Sequence, residues 1–189
     1  MSRSVTDPPP PPPPAPIDGG SRLCLACRLC SDGSLFDFAR LRPDEIDQAA
    51  AQGMAPVRTA TDTRFALPCP RLGAGGCEVY PDRPSVCRAF ECELLKSVNR
   101  GERVLAEALP LVTEAQRLRD IADAAAPTED RAHARRRWRA MSERPHDAPP
   151  DPALALAMTS LNLFLDRHFR RPAERLLSAS AVHLDSNDM

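Results

Sequence analysis

The chain has one Trp, one Tyr and a single Lys in 189 residues, and aromatic residues make up only 4% of it. Large apolar side chains are scarce too: Leu, Ile, Val and Phe together number 38, about a fifth of the sequence. That leaves little for a core running the whole length of the chain, and it borders on the composition of disordered proteins. No run of 18 apolar residues occurs, which excludes a membrane-spanning helix of that kind. Met1 to Pro16 has no apolar h-region, so no secretory signal is expected and the expected location is cytoplasmic. The formal net charge of −1 argues against a surface broadly attractive to nucleic acid. The length fits one ordinary domain, or one small domain with appendages.

What the sequence does have is cysteine, proline and alanine. The seven cysteines are Cys24, Cys27, Cys30, Cys69, Cys77, Cys87 and Cys92, all within 69 consecutive residues. An odd count with no signal peptide argues against a disulfide framework. Buried thiols acting as small hydrophobes explain one or two isolated cysteines, but not Cys24-x-x-Cys27-x-x-Cys30. Three thiols at that spacing, in a loop or at a helix start, gather their sulfurs as a soft metal or iron–sulfur centre requires.

Around the cysteines the chain divides by composition. Residues 1–20 carry an unbroken proline run from Pro8 to Pro14, which predicts a polyproline or disordered tail. Pro43-Asp44-Glu45 with Gly53 beyond predicts a short helix over 43–52. Val57 to Leu67 reads as a strand or loose hairpin. Pro and Gly fill 68–76, as expected of a loop wrapping a centre. Pro84 predicts the start of a helix that carries Cys87 and runs toward Gly101. On a regular helix Cys87 and Cys92 would point about 140° apart, so either the helix breaks between them or Cys92 has another role.

Beyond Gly101, Val104, Ala108, Leu111, Ala115, Leu118 and Ala122 recur at helical steps, with Pro110 expected to start, kink or divide the helix. Residues 128–141 read as a charged helix with a solvated arginine face, and 142–152 as a Pro-rich linker. Asp151 and Pro152 open a last helix that presents Leu154, Met158, Leu161, Leu165 and Phe169 on one side, ended by Pro172. The tail to Met189 is expected to fray. The resulting domains are a tail at 1–20, a cysteine-cluster domain at 21–100, a helical extension at 101–172 and a second tail at 173–189. The fold class is α+β, mostly α: a small, irregular, metal-stapled domain with C-terminal helices.

The segment Tyr80-x-x-Arg83-Pro84-x-x-Cys87-Arg88-x-Phe90, preceded by Cys24-x-x-Cys27-x-x-Cys30, Cys69-Pro70-x-Leu72 and Gly76-Cys77, resembles the YkgJ-like cysteine-cluster proteins, the CxxCxxCC family described as zinc- or iron-chelating. The match spans about residues 21–95. It implies metal binding by the seven cysteines, with Tyr80, Arg83, Arg88 and Phe90 around them. In that reading Arg83 holds carbonyls or a carboxylate of the loop, while Tyr80 and Phe90 pack over the site. The family's first run usually ends in two adjacent cysteines, and here the second is Ser31. Either that position is not an essential ligand, or Cys92 substitutes for it, or one of two sites is impaired. A related cluster occurs in flagellin lysine methylases, but this chain is short for that whole enzyme and shows no Gly-rich cofactor loop.

The expected cofactor is therefore zinc or iron, with a [4Fe–4S] cluster as one form of the latter. Seven cysteines complete one four-thiolate site with three to spare, or two sites only with shared or non-Cys ligands. Arg28, Arg71 and Arg88 adjoin cysteines and would offset thiolate charge, although with 24 Arg against one Lys a single arginine carries little weight. His133, His146, His168 and His183 have no ligand spacing to the cysteines. No catalytic residue is assigned, since neither a Ser-His-Asp arrangement nor a phosphate or dinucleotide loop is present. The expected role is cytosolic metal handling. The alternatives are an iron–sulfur or zinc enzyme acting on a protein, and a metal-stapled module that binds a protein partner. No membrane partner is expected.

Overall fold

The computed structural model describes residues 19–143 and 151–177. The proline run, most of the expected linker, His146, His183 and the last twelve residues lie outside the described residues. The described chain is a mostly helical α+β fold. No helix among the described residues is long and apolar enough to cross a membrane.

Helix α1 (Gly19–Cys27) carries the first two cysteines. It ends at Arg28, a non-glycine residue in the left-handed region at φ 59°, the conformation that commonly closes helices. The Arg28 amide bonds to Cys24 O at 3.2 Å, and the Ser31 and Asp32 amides both return to Arg28 O. The chain thus turns sharply, with Cys30 inside the turn. Strand β1 (Phe38–Leu41), a 3-10 turn (Pro43–Glu45) and helix α2 (Ile46–Ala51) follow. The expected helix over 43–52 is therefore present with a 3-10 first turn.

Strands β2 (Val57–Arg58) and β3 (Thr63–Ala66) form the loose hairpin. Strand β1 pairs with β3, Phe38 opposite Ala66 and Leu41 opposite Thr63, giving an antiparallel sheet of order β1-β3-β2. Leu41, Phe65 and Leu67 bury one side of this sheet against Ala49 and Met54, which makes a small core of its own. A two-residue pair, β4 (Leu72–Gly73) and β5 (Gly76–Cys77), spans the Pro/Gly segment.

Pro84 precedes α3 (Ser85–Ala89), but the helix does not run on to Gly101. Phe90 and Cys92 are extended, and a new helix, α4 (Glu93–Asn99), starts after Cys92. The Cys92 sulfur accepts the Leu95 amide at 3.4 Å and so caps α4. Both options that the helical wheel left open are realised: the helix breaks, and Cys92 takes a separate position.

Helix α5 (Leu105–Ala125) keeps Pro110 inside a single helix near its start. Helix α6 (Arg131–Glu143) and helix α7 (Pro152–His168) complete the fold, with a final 3-10 turn at Pro172–Glu174. Asp151 caps α7 through Leu154 N at 3.0 Å, as expected of that residue type. Leu154, Met158, Leu161, Leu165 and Phe169 are all buried. Ala108, Ala115 and Ala122 are buried at seven-residue steps along α5. Small side chains there let α5 approach its neighbours closely, and α5 packs on both α1 and α7. The alanine-rich composition thus serves close helix contact, which offsets the shortage of large apolar residues.

The solvated face expected of residues 128–141 holds only in part: Arg136 and Arg139 are exposed, but the helix also turns charged and aromatic side chains inward. Arg135 and Trp138 are buried, and the Trp138 indole N–H donates to Thr159 Oγ1 at 3.1 Å. Arg135 donates to Gly33 O at 2.5 Å, to Ser34 O at 2.8 Å and to Asp37. Arg170, only 2% exposed, reaches Asp166 at 2.8 Å, Asn162 at 3.0 Å and Ser34 O at 3.3 Å. Arg119 donates to Asp32 Oδ2 at 2.9 Å, and Arg131 to Asp32 O. Four arginines, three on α5 and α6 and one just beyond α7, therefore grip residues 32–37, the loop that directly follows the first cysteine run. The helical extension forms one core with α1 and α4.

Candidate metal centre

All seven cysteines fall among the described residues, and no disulfide joins them. Three separate devices bring their segments together. The Cys69 amide donates to Ser31 O at 2.8 Å, which seats the second cysteine segment beside Cys30. Arg28 Nη1 donates to Ala74 O at 2.7 Å and to Gly73 O at 3.4 Å, holding the β4–β5 turn next to Cys77. Gln116 Nε2 on α5 donates to Ala26 O at 2.8 Å and Cys27 O at 3.2 Å, satisfying carbonyls at the end of α1 that have no partner within the helix.

The electrostatics report which thiols lie near one another. Burial pushes the Cys27 thiol well up, and Cys92, Cys30 and Cys24 push it further. Cys92 rises to about 11, through burial first and Cys30 among its neighbours, against the Leu95 amide that lowers it. Cys87 is exposed as a residue, yet its sulfur sits among many protein atoms. Its thiol rises to about 12 through that burial and then through Cys30, Cys69 and Cys77. Burial also raises Cys69, with Cys77 and Cys30 adding to it. Burial again leads the upward shift of Cys30, helped by Asp32 and opposed by Arg83. Cys27 is thus influenced by Cys24, Cys30 and Cys92, and Cys87 by Cys30, Cys69 and Cys77.

As their side chains are placed, no group of three or more His, Cys, Asp or Glu among the described residues is arranged to hold a metal ion. Thiols are soft donors of the kind that zinc and iron take. Crowded thiols that raise one another's pKa are protonated and mutually repulsive as thiolates, and a cation relieves that repulsion when it replaces the protons.

Around the cysteines, the Arg83 guanidinium stacks 3.8 Å from the Tyr80 ring centroid and faces Cys30 and Cys87 electrostatically. The carbonyl and carboxylate contacts expected of Arg83 are made by Arg88: its Nη1 donates to Arg83 O at 2.7 Å, and its Nη2 lies 3.9 Å from Glu45. Glu45 in turn accepts the Ser85 amide at 2.6 Å at the start of α3. Phe90 packs edge-on against Phe36, centroids 4.9 Å apart, beside the first cysteine run. Ser31 Oγ lies 3.6 Å from Cys30 Sγ. His133 lies 3.8 Å from Glu129, and the His168 ring lies tilted against Phe164, centroids 4.6 Å apart. A polar cleft of about 160 Å³ opens between α2 and the Arg83–Arg88 segment, lined by Arg42, Glu45, Gln52, Arg83 and Arg88.

Sequence reasoning named Arg28 for its charge but not for its contacts to Gly73 O and Ala74 O, and it missed Gln116 and the four arginines on residues 32–37. Arg28 carried a weak signal, since it directly follows Cys27. The others lie 87 or more residues from their partners, and nothing local marks them. No family model, no curated protein and no solved structure matches this chain.

Proposed function

We propose that the chain is a zinc- or iron-chelating cysteine-cluster protein of the YkgJ-like kind, with a role in metal handling rather than catalysis. The resemblance is carried by its motif residues alone. One observation carries the function: thiols from four separate segments, 24–30, 69–77, 87 and 92, are electrostatic neighbours with no disulfide among them. When metal is bound, it supplies cross-links among these segments, and its binding energy becomes folding energy. The cysteines would hold it, while Arg71 and Arg83, which face Cys69 and Cys30, moderate the thiolate charge.

The test is anaerobic purification of the full chain, with zinc, iron and acid-labile sulfide quantified per chain. Zinc or iron at one equivalent or more is the expected result. Brown protein with sulfide would identify a cluster. Colourless protein with neither metal near stoichiometry overturns the reading. Cys27→Ser and Cys77→Ser should each lose metal, and full retention by both would remove them as ligands.

A further inference from the structure

Ser34 lies in the clamped loop and is 1% exposed. Its amide donates to Asp32 Oδ1 at 2.9 Å. Its carbonyl accepts Arg135 Nη2 at 2.8 Å and Arg170 Nη2 at 3.3 Å. Its hydroxyl, by contrast, has no hydrogen-bond partner among the described residues, and neither has Arg135 Nε on α6. Arg135 is 4% exposed, so both groups are cut off from bulk water. A buried polar group left unpaired is costly and rare. Here the two residues that carry such groups line one cavity of about 20 Å³, set between the loop, α5, α6 and α7. Arg170 Nε is unpartnered as well, but Arg170 is not on this wall. Ala122, Ala126 and Ala134 form much of the rest of it, and their small side chains leave the space open.

We infer that this cavity is a binding site for one water molecule, which joins the Ser34 hydroxyl to the Arg135 Nε–H and so ties the loop after the first cysteine run to α6. The inference is independent of metal binding. Size is the first argument: a buried water needs about 10–15 Å³ of such space, and the cavity offers about 20 Å³. Hydrogen-bonding capacity is the second. A buried water makes about three hydrogen bonds. This one accepts from Arg135 Nε–H, donates to Ser34 Oγ, and has the carboxylates of Asp123 and Glu129 on the same wall for its other proton. Charge is the third. Asp123 pairs with Arg131 at 2.6 Å, Glu129 with Arg137 at 3.0 Å, and Arg135 with Asp37. The charges at the wall are therefore already matched, and the site calls for a neutral ligand that both donates and accepts. An anion there would add an unmatched buried charge.

The experiment is a water-selective rotating-frame Overhauser measurement on the full chain as purified, labelled with ¹⁵N-arginine. The Arg135 Nε–H should show a cross peak to water with the sign of close approach, which is opposite to the sign of proton exchange. Absence of that peak overturns the inference. Ala134→Val places two further methyl groups at the wall and should abolish the peak. A peak of unchanged intensity in this variant places the water elsewhere and overturns the site. Crystals grown with bromide give a second reading. Oxygen density within hydrogen-bond distance of both Ser34 Oγ and Arg135 Nε supports the inference, whereas anomalous density in the cavity identifies an anion and overturns the choice of water. The wild-type peak decides the matter even if the variant fails to fold.

Discussion

The backbone amide of Cys69 donates to the carbonyl oxygen of Ser31 at 2.8 Å. Through this bond the main chain of Ser31 fixes the second cysteine segment beside the first. Ser31 supplies no thiolate, but its position is not vacant of function. The same logic runs through the neighbouring contacts, in which backbone carbonyls of the cysteine segments are the acceptors and side chains from elsewhere are the donors.

Arg28 is the nearest of these donors, and two of its properties can be separated. Arg28→Ala removes the donor to Ala74 O and Gly73 O, at a cost of about 1 kcal/mol for a partly exposed charged bond. Arg28→Gly removes the same donor but relieves a side chain held at φ 59°, which recovers about 1 kcal/mol. Urea unfolding should therefore rank wild type and Arg28→Gly close together, with Arg28→Ala below both. Equal midpoints for the two variants would show that the left-handed conformation carries no strain.

The pair Arg170 and Asp166 tests the grip of the helices on the 32–37 loop. Asp166→Ala leaves Arg170, 2% exposed, without its carboxylate and strips the acceptor from the Leu176 and Leu177 amides. Breaking one half of a buried pair costs about 3–5 kcal/mol. Replacing both partners, Asp166→Leu with Arg170→Met, should cost less than the single change, because no uncompensated charge stays buried. Denaturant midpoints of the single and double variants check this, and a double variant weaker than the single one would refute it.

Much of the helical frame was legible in the sequence, because local chemistry determines it. Asp151 and Pro152 mark the start of α7, its apolar stripe is the buried one, and the angle between Cys87 and Cys92 left a break as one of two options, which the chain takes between α3 and α4. The rest was not legible, for two physical reasons. Strand β1 is four residues long and shows no alternation, so its existence depends on β3 pairing with it. The clamp on residues 32–37 is built from arginines, which are spread along the chain, and only the folded arrangement selects Arg119, Arg131, Arg135 and Arg170 from 24. The cysteine segments were marked by their residues, whereas the contacts that seat them, such as the Cys69 amide on Ser31 O, came only from the fold.

The thiols also set a pH dependence for the reduced, metal-free protein. Cys92 rises to about 11 and Cys87 to about 12, mainly through burial, whereas an unfolded cysteine titrates near about 8.5. Folded pKa values above the unfolded ones mean that this stability is fully present below about pH 8.5 and is lost as pH rises toward 11–12. Cys92 alone accounts for at most about 3 kcal/mol of it. The urea midpoint measured with reductant and chelator should therefore fall steadily from pH 8 to pH 11, and a flat profile would contradict the buried, protonated state. With metal bound the thiols are already deprotonated, so the slope should flatten over the same range.

Ser31→Cys tests whether the position beside Cys30 can serve metal binding. The Ser31 hydroxyl lies 3.6 Å from Cys30 Sγ, and the Ser31 carbonyl holds the Cys69 amide, so a thiol there stands between two cysteine segments. An added thiolate is an added soft ligand. If the cysteines hold zinc, the variant should retain it at a higher concentration of competing chelator than the wild type does. Equal retention by the two proteins would show that the new thiol stays outside the centre, leaving Ser31 as a backbone anchor alone.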